Sequence, residues 1–515
     1  MCHHHQQKSH QEESDGDDDG DNNTSTGSSY PKPSSTISVP DSHCHPTDTS
    51  STVHLIPGMR ASRLTAMATN GGNQALVAEL TERFPEKVVP GFGWHPWFSS
   101  MLWDDEDEEL KLLWEEGERS HGERGGMGNG EWELEFKMRH YAKVLKRPSG
   151  GGGGQSSALP REFVQHLTMP RKLRGDALIE LRNNLSRFKS AGRGVVLGEV
   201  GLDRGFRLPW PKGYREGVAS TRSPKDSDIN QGQRGSEVVE KEEEEGEGEG
   251  EKEKSLSPYR VSMDHQLLVF TAQLGVSGEL GIPASVHSVQ AHGTMFDTLR
   301  GLWRGWEVHV ESSRERKNRE MRGKKLRSEE KEWVDRFLLE DGAGLEELDS
   351  DNDSERVLLQ KLKSESQIHS NPHPHHQSQK SQVTRSTSPP PPFPPRICLH
   401  SFSAPPQTLL QYNTPPSPTT AYPTDMYYSF STTINSRNLT RFVDVLKLVP
   451  KERVLVESDL HIAGEEMDAV LQEAAEIVGK VKGWDAQEVG RVLQENWLAW
   501  VYGSADNVEI VRTTQ

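Results

Sequence analysis

Cysteine is nearly absent from these 515 residues: only Cys2, Cys44 and Cys398 occur. Three thiols cannot build the disulfide framework that staples small secreted domains, so a reducing, intracellular setting is expected. Long apolar runs are missing as well. None approaches the ~18 to 20 residues needed to cross a bilayer, which argues against a helical membrane span. From Met1-Cys2-His3 onward the sequence is polar and then acidic, without the apolar h-region of a secretory signal. A cytoplasmic or nuclear location is therefore expected. Apolar residues are scarce overall, at 32%, against 46 Gly and 31 Pro. A chain of that composition combines a packed domain with solvated stretches that cannot bury enough apolar surface to offset their ordering entropy.

The formal net charge of −18 is unevenly spread. Residues 11–21 hold seven acids and no base, residues 104–119 nine acids against Lys111 and Arg119, and residues 240–254 nine Glu against three Lys. Outside these tracts the charge nearly balances. The acidity therefore says little about a site elsewhere and does not exclude a polyanionic substrate.

Residues 1–33 read as a disordered acidic tail. Four further stretches read as low-complexity insertions: 104–160, with its Gly150–Gly154 run; 205–257, with the Glu-rich tract; 305–395, with a basic stretch and two Pro-rich runs; and 404–423, rich in Pro, Thr and Ser. Removing them leaves about half the chain, close to the ~250 residues of one (β/α)₈ barrel. The remainder carries eight candidate strands: Ile37–His43, Leu64–Thr69, Val88–Trp94, Val195–Val200, Ala284–His287, Ile397–His400, Tyr427–Phe430 and Val454–Glu457. Helical spacing falls between several of them. Leu178, Leu181, Leu185 and Phe188 share one face, as do Met263, Leu267, Phe270 and Leu274. A helix over Asn73–Phe84 opens with Asn73 as its expected cap. Strands alternating with helices predict a parallel sheet, and eight of them predict α/β closure into a barrel, with 34–515 as the barrel domain.

Barrel enzymes place their chemistry at the C-terminal ends of the strands. The first candidate strand ends in Asp41-Ser42-His43-Cys44-His45, where extended backbone points His43 and His45 the same way. The fourth ends in Glu199-Val200-Gly201-Leu202-Asp203, the fifth in His287-Ser288, the sixth in His400-Ser401 and the eighth in Glu457-Ser458-Asp459. Any one of these is most simply a polar residue marking a strand end. Together they bring four imidazoles and two carboxylates, His43, His45, His287, His400, Glu199 and Asp459, to one end of five strands. That is the ligand inventory for one or two divalent cations.

These motifs, with Gly93-Trp94-His95-Pro96, occur in the order found in the TatD family of metal-dependent deoxyribonucleases, within the amidohydrolase-like superfamily, and span residues 41–459. The sequence resembles that family, and its long insertions resemble the fungal branch. The resemblance implies a TIM-type barrel, two divalent cations (Mg²⁺, Mn²⁺ or Zn²⁺) and hydrolysis of phosphodiester bonds in DNA. It implies that His43, His45, Glu199 and Asp459 hold one cation, and that Glu199, His287 and His400 hold the second. Asp459 is the expected general base. His95 is left to touch phosphate or orient a ligand, and Asp203 to accept a hydrogen bond from a ligating imidazole. Members of the fungal branch are named for a helical-repeat subunit of the anaphase-promoting complex, which implies such a protein as a partner.

The sequence also departs from the family. Trp97 follows His95-Pro96 where a second histidine is common. The family's His-Ser-Arg-Asp is His287-Ser288-Val289-Gln290, which lacks a cation suited to phosphate, and Ser401 and Ala404 replace the sixth-strand Cys and Gly. Two alternatives remain open: a hydrolase of a small amide or ester, and a regulatory or scaffold protein with a weakly active barrel. The basic run Arg314–Arg327 reads as a solvated helix or linker, or else as a nucleic-acid patch.

Overall fold

Buried, β-branched segments recur through the chain, and in the computed structural model they become eight parallel strands. The described residues are 37–122, 129–147, 158–211, 214, 256–341 and 389–503. The acidic tail and the Glu-rich tract 240–254 lie outside them. The strands are β1 (Asp41–Cys44), β2 (Leu64–Met67), β3 (Val88–Phe92), β4 (Val196–Asp203), β5 (Ala284–Val289), β6 (Arg396–Leu399), β7 (Asp425–Phe430) and β8 (Val454–Val456). They pair in sequence order, with registers such as Leu64↔Val88, Leu197↔Ala284 and Tyr428↔Val454. Side-chain and turn hydrogen bonds bring β8 back beside β1. Ser42 Oγ donates to Val456 O (2.9 Å), Asp459 N to His43 O (3.0 Å) and His45 N to Leu460 O (2.8 Å). The result is a nearly closed barrel with helices between the strands.

Strands covered on both faces read as continuous apolar runs rather than alternations. All eight residues of β4 are buried. One parity of the strands, including Leu64, Val88, Leu197 and Val456, packs outward against helices in the main core. A second cluster joins Met67, Val89, Val196, Cys398 and Leu455 to Trp497 and Trp500 of the helix Ala486–Tyr502. Trp497 Nε1 donates to Thr65 Oγ1 (3.0 Å), and Arg396 Nε to Trp500 O (2.6 Å). These partners lie near the strands' N-terminal ends, so the terminal helix packs at the end of the barrel away from the chemistry. Among the described residues, no helix is long and apolar enough to cross a membrane.

Several expectations shift in detail. β1 begins at Asp41, not Ile37. The first helix, α1 (Gly71–Arg83), is capped by Asn70, while Asn73 sits three residues in and returns its Oδ1 to the Thr69 and Asn70 amides. Such a reciprocal pair satisfies more orphan donors than Asn73 alone could. The stretch 404–423 contains a helix, Pro406–Asn413, whose Leu409 and Tyr412 are buried in the core. Its Pro/Thr/Ser composition concealed two well-spaced anchors. Within 305–395, Arg314–Arg327 lies in the helix Ser313–Asp341, and Phe393 of the proline run is buried against the main core.

The stretch 104–160 contributes α2 (Glu108–Gly122) and α3 (Asn129–Val144). Leu110 and Phe136 bury against Trp103, and Trp132 Nε1 donates to Leu113 O (3.0 Å). Here a charged surface hides an aromatic face. α3 also buries His140, whose Nε2 donates to Ser100 O (2.7 Å), beside His265, whose Nε2 donates to Ser99 O (2.9 Å). Burial holds His140 down at about 3, and His265 is lowered for the same reason. Both are neutral when folded, whereas the unfolded chain takes up their protons below pH ~6.5. Their contribution is therefore full above that pH and drains away as the pH falls. The loss amounts to at most about 1.4 kcal/mol per pH unit per group. Thermal melts at pH 7.5 and pH 5 should show a drop in Tm that His140→Gln, which keeps a donor for Ser100, makes shallower.

Candidate metal centre

The polar residues read from the strand ends converge on one carboxylate. Glu199, in β4, is buried, and its two oxygens face different partners. Oε2 lies 3.4 Å from His43 Nε2 and 3.5 Å from His45 Nε2. Oε1 lies 2.8 Å from His287 Nδ1, 2.7 Å from His400 Nε2 and 3.2 Å from His95 Nε2. Asp459, on the turn after β8, places Oδ1 3.7 Å from His45 Nε2 and 4.0 Å from His43 Nε2, and its side chain keeps slight exposure. All six residues read as ligands are thus brought together, with His95 and Asp203 beside them.

The donor set fits divalent cations. His43 Nε2 and His45 Nε2 are 3.2 Å apart, and His287 Nδ1 and His400 Nε2 are 3.1 Å apart. Two ring nitrogens held ~2.0–2.1 Å from one ion at near-tetrahedral angles lie about 3.3 Å from each other. Among the described residues, three groups of side chains could hold an ion: His43, His45 and Glu199; His43, His400 and Asp459; and His95, Glu199 and His287. Chemistry removes His95 from the last. Its Nδ1 accepts from Trp97 N (3.2 Å), and burial holds the ring down at about 4, so it is neutral at pH 7. Its single proton must then sit on Nε2, which leaves that nitrogen no lone pair for a cation. His95 instead donates to Glu199.

For His43, His287 and His400 the ring nitrogen facing away from the cluster also has a neighbour that orients the imidazole, whereas His45 Nδ1 is buried without a hydrogen-bond partner. His43 Nδ1 meets Ser285 Oγ (2.8 Å), and His287 Nε2 meets Asp203 Oδ2 (3.4 Å). His400 Nδ1 lies 3.5 Å from Glu457 Oε1. Glu457 is fully buried and accepts from Ser401 N (2.7 Å), Ser401 Oγ (2.5 Å) and Ser429 Oγ. Sequence reasoning quoted Glu457 within its motif but gave it no role. A carboxylate directly after the buried apolar strand Val454–Val456, costly there unless it is partnered, was the available signal. Glu457→Gln should keep the fold and weaken divalent-cation affinity by about 10- to 100-fold, as read by calorimetric titration. Asp41 was also passed over. It accepts from Ser458 Oγ (2.6 Å), Ser458 N (3.1 Å) and His43 N (3.0 Å), tying β1 to the turn after β8. Burial pushes its carboxyl up to about 7 despite those donors.

Electrostatics divide the cluster sharply. Burial would raise the Glu199 carboxyl, but the imidazoles of His95, His400 and His43 hold it well below the usual range. Burial likewise opposes ionisation of Asp459 and Asp203. His45, His400 and His43 bring the former to about 2, and His287 and Trp97 bring the latter to about 2. On the basic side, burial disfavours charge on His287, yet Asp203 and Glu199 outweigh it and raise the ring to about 9. His400 is raised well above its ordinary value by Glu199 and Glu457 in spite of burial. Three ionised carboxylates around imidazoles form a site that favours positive charge. The backbone turns here are unusual too: Gln290, Ser401 and Asp459 take left-handed φ of 52°, 43° and 57°, just beyond β5, β6 and β8. Such conformations concentrate where a site dictates side-chain direction over local preference.

Comparison with known proteins gives three kinds of match. Residues 356–501 match the family model of TatD related DNase. The Cut9-interacting protein scn1 of Schizosaccharomyces pombe (strain 972 / ATCC 24843) is 27% identical over 465 residues, covering 90% of this chain and 98% of that protein. Among solved structures, the TatD homolog YJJV from Escherichia coli K12 is 12% identical with a TM-score of 0.39, covering 90% of this chain and 98% of its own. A TatD family hydrolase from Entamoeba histolytica is 10% identical with a TM-score of 0.39, covering 91% and 100%.

Proposed function

We propose that this chain, whose residues 356–501 match the family model of TatD related DNase, is a TatD-type divalent-metal-dependent hydrolase that cleaves phosphodiester bonds in DNA. The observation that carries the reading is Glu199: its Oε2 faces His43 and His45, and its Oε1 faces His287 and His400. In this reading His43, His45, Glu199 and Asp459 hold one cation, and Glu199, His287 and His400 the other. Cations there supply positive charge against the phosphodiester oxygens and acidify water.

The chain's own residues do the rest. Asp459, ionised and slightly exposed, accepts the proton of the attacking water. Asp203 and Glu457 hold the His287 and His400 rings, so neither turns as charge builds up. His95, neutral and donating to Glu199, keeps that carboxylate from rotating. We assign residues 34–515 to the barrel domain, interrupted by its insertions.

The test is cleavage of end-labelled single- and double-stranded DNA with Mg²⁺ or Mn²⁺, comparing wild type with Asp459→Asn. A product ladder that fades by on the order of 10²- to 10³-fold in the variant supports the reading. Folded, metal-loaded wild type that cuts neither substrate overturns it, and profiling against small amides and esters then follows. A second reading, docking of a protein partner, is supported by the relative named for interaction with Cut9. It is also supported by Val289 and Gln290, which stand where the family's cation and carboxylate are expected. It proposes a helical-repeat protein of the anaphase-promoting complex as partner, in the cytoplasm or nucleus. Binding of that protein should then survive His43→Ala and Asp459→Asn.

A further inference from the structure

The basic run Arg314–Arg327 takes no part in the metal centre and is rooted at the far end of the barrel. Its helix, Ser313–Asp341, follows a small ribbon in which Val308–His309 pairs with Thr420–Ala421. Trp303 Nε1 donates to Thr424 Oγ1 (2.9 Å), and Trp306 stands edge-on to Phe393 at 5.9 Å. These contacts seat the ribbon beside the N-terminal starts of β6 and β7, whereas His400 and the other candidate ligands stand at the opposite ends of the strands. Arg319 Nη2 pairs with Glu311 Oε2 (3.0 Å) and ties the helix to the ribbon.

The charge on this helix is segregated. Residues 314–327 hold eight bases and two acids, a net +6 in a chain of net −18, while 328–341 hold six acids against Lys331 and Arg336. That order opposes the helix dipole, which favours acids near the N-terminus and bases near the C-terminus, so helix stability does not explain it. Packing does not explain it either. From Arg314 to Ser328 every residue except Gly323 is exposed. Arg316 pairs with Glu320 (3.8 Å) and Arg319 with Glu311, but Arg314, Lys317, Arg322, Lys324 and Arg327 have no acidic partner among the described residues. The bases also surround the helix. At 3.6 residues per turn, Arg322 and Lys324 lie about 160° apart around the axis, as do Lys317 and Arg319. Met321 and Leu326 are exposed and about 140° apart, so they form no apolar stripe on which a protein could pack. A flat acidic surface would be met by bases on one face. Bases on every side suit a helix enclosed by phosphates, and the major groove, about 12 Å wide, admits one helix between its two phosphate walls.

We propose that residues 314–327 form a second nucleic-acid site, a helix that lies in the major groove of a DNA duplex and contacts the phosphates of both walls. The run is about 21 Å long, over which a duplex presents about twelve phosphates, more than enough for its bases. Contacts to phosphate carry no sequence information, so the site tethers the protein to duplex DNA of any sequence. Its place at the far end of the barrel leaves the strand-end site unobstructed, and it binds whether or not the barrel cuts.

The test is fluorescence anisotropy of the full chain with a labelled duplex of about 20 base pairs, in EDTA so that nothing is cut, repeated over a range of salt concentrations. Wild type should bind with a slope of log affinity against log salt of about −5, as expected for about six neutralised phosphates. Arg322→Gln and Lys324→Gln, on opposite sides of the helix, should each shrink that slope by about 1, and together by about 2. Glutamine has nearly the helix propensity of either base, so circular dichroism should match wild type. Absence of salt-dependent binding by wild type overturns the site, and so does an unchanged slope in the folded double variant. An effect from only one of the two single variants shows contact through one face and overturns the groove placement. Complete displacement of the duplex by polyglutamate at equal charge concentration assigns the helix to an acidic protein instead. Because the measurement needs no metal, failure of the hydrolase reading leaves its outcome untouched.

Discussion

Glu199→Gln should abolish both cation retention and hydrolysis. The substitution keeps the volume and removes one charge, yet that charge is shared by every imidazole of the cluster. A neutral amide cannot serve both ring pairs, since one of its two ends is a donor that would face ring nitrogens needed as ligands. Bound-metal content after dialysis should fall from the wild-type stoichiometry to near zero. Cleavage should drop by on the order of 10³-fold or more. The fold should persist, because the surrounding barrel is held by apolar burial and strand pairing rather than by this carboxylate. Circular dichroism that matches wild type, together with lost metal, is the expected pair of results. A variant that keeps its metal and its activity would remove Glu199 from the centre of the chemistry.

Gly201→Ala should do the reverse, damaging the fold first and the site as a consequence. Gly201 lies in β4 between Glu199 and Asp203 with φ 151°, a backbone conformation that side chains rarely adopt. An added Cβ would run into the His287 backbone of the adjoining strand, where Gly201 pairs directly with His287. Backbone strain and steric overlap each cost about 1–3 kcal/mol, so the pair should cost roughly 2–6 kcal/mol. In a chain of this size that corresponds to a fall in Tm on the order of 10 °C. Gly192→Ala separates the two causes: Gly192 has φ 71° with nothing near an added Cβ. It should lose only the strain component, about 1 kcal/mol. Differential scanning calorimetry of both variants checks the ratio, and equal losses would show that the approach of β4 to β5 is not the limiting contact.

Much of the barrel was legible because strand burial and helical spacing are local signals. Seven of the eight expected strands overlap the observed ones closely, and the helices begin at Leu178 and Met263 as their spacing implies. The first strand slid because Ile37–Pro40 is apolar without being paired, and the first helix cap moved because a capping box outperforms a single asparagine. Composition misled most in 104–160 and 404–423. α2 and α3 expose most of their charge and bury only a few aromatics, so their polar average concealed a face built around Trp103 and Phe136. The helix Pro406–Asn413 likewise rests on just Leu409 and Tyr412.

The candidate site divides along the same line. The sequence by itself determined which side chains stand at the strand ends: alternation along extended backbone pairs His43 with His45, and Glu199, His287, His400 and Asp459 close other apolar runs. It also marked Trp97 as foreign to its motif. Only the tertiary structure decided what those side chains do. That Glu199 turns one oxygen to each pair of imidazoles depends on the register of β4 against β5 and on closure of β8 onto β1. That Asp203 reaches Trp97, 106 residues earlier, and His287, 84 residues later, depends on the same register. His95 shows the division within a single residue. Its identity and place after β3 were plain, but its exclusion as a ligand follows from which backbone amide meets Nδ1 and how fully the ring is buried. Hydrogen bonds between distant segments set tautomer, charge and aim, and no local pattern encodes them.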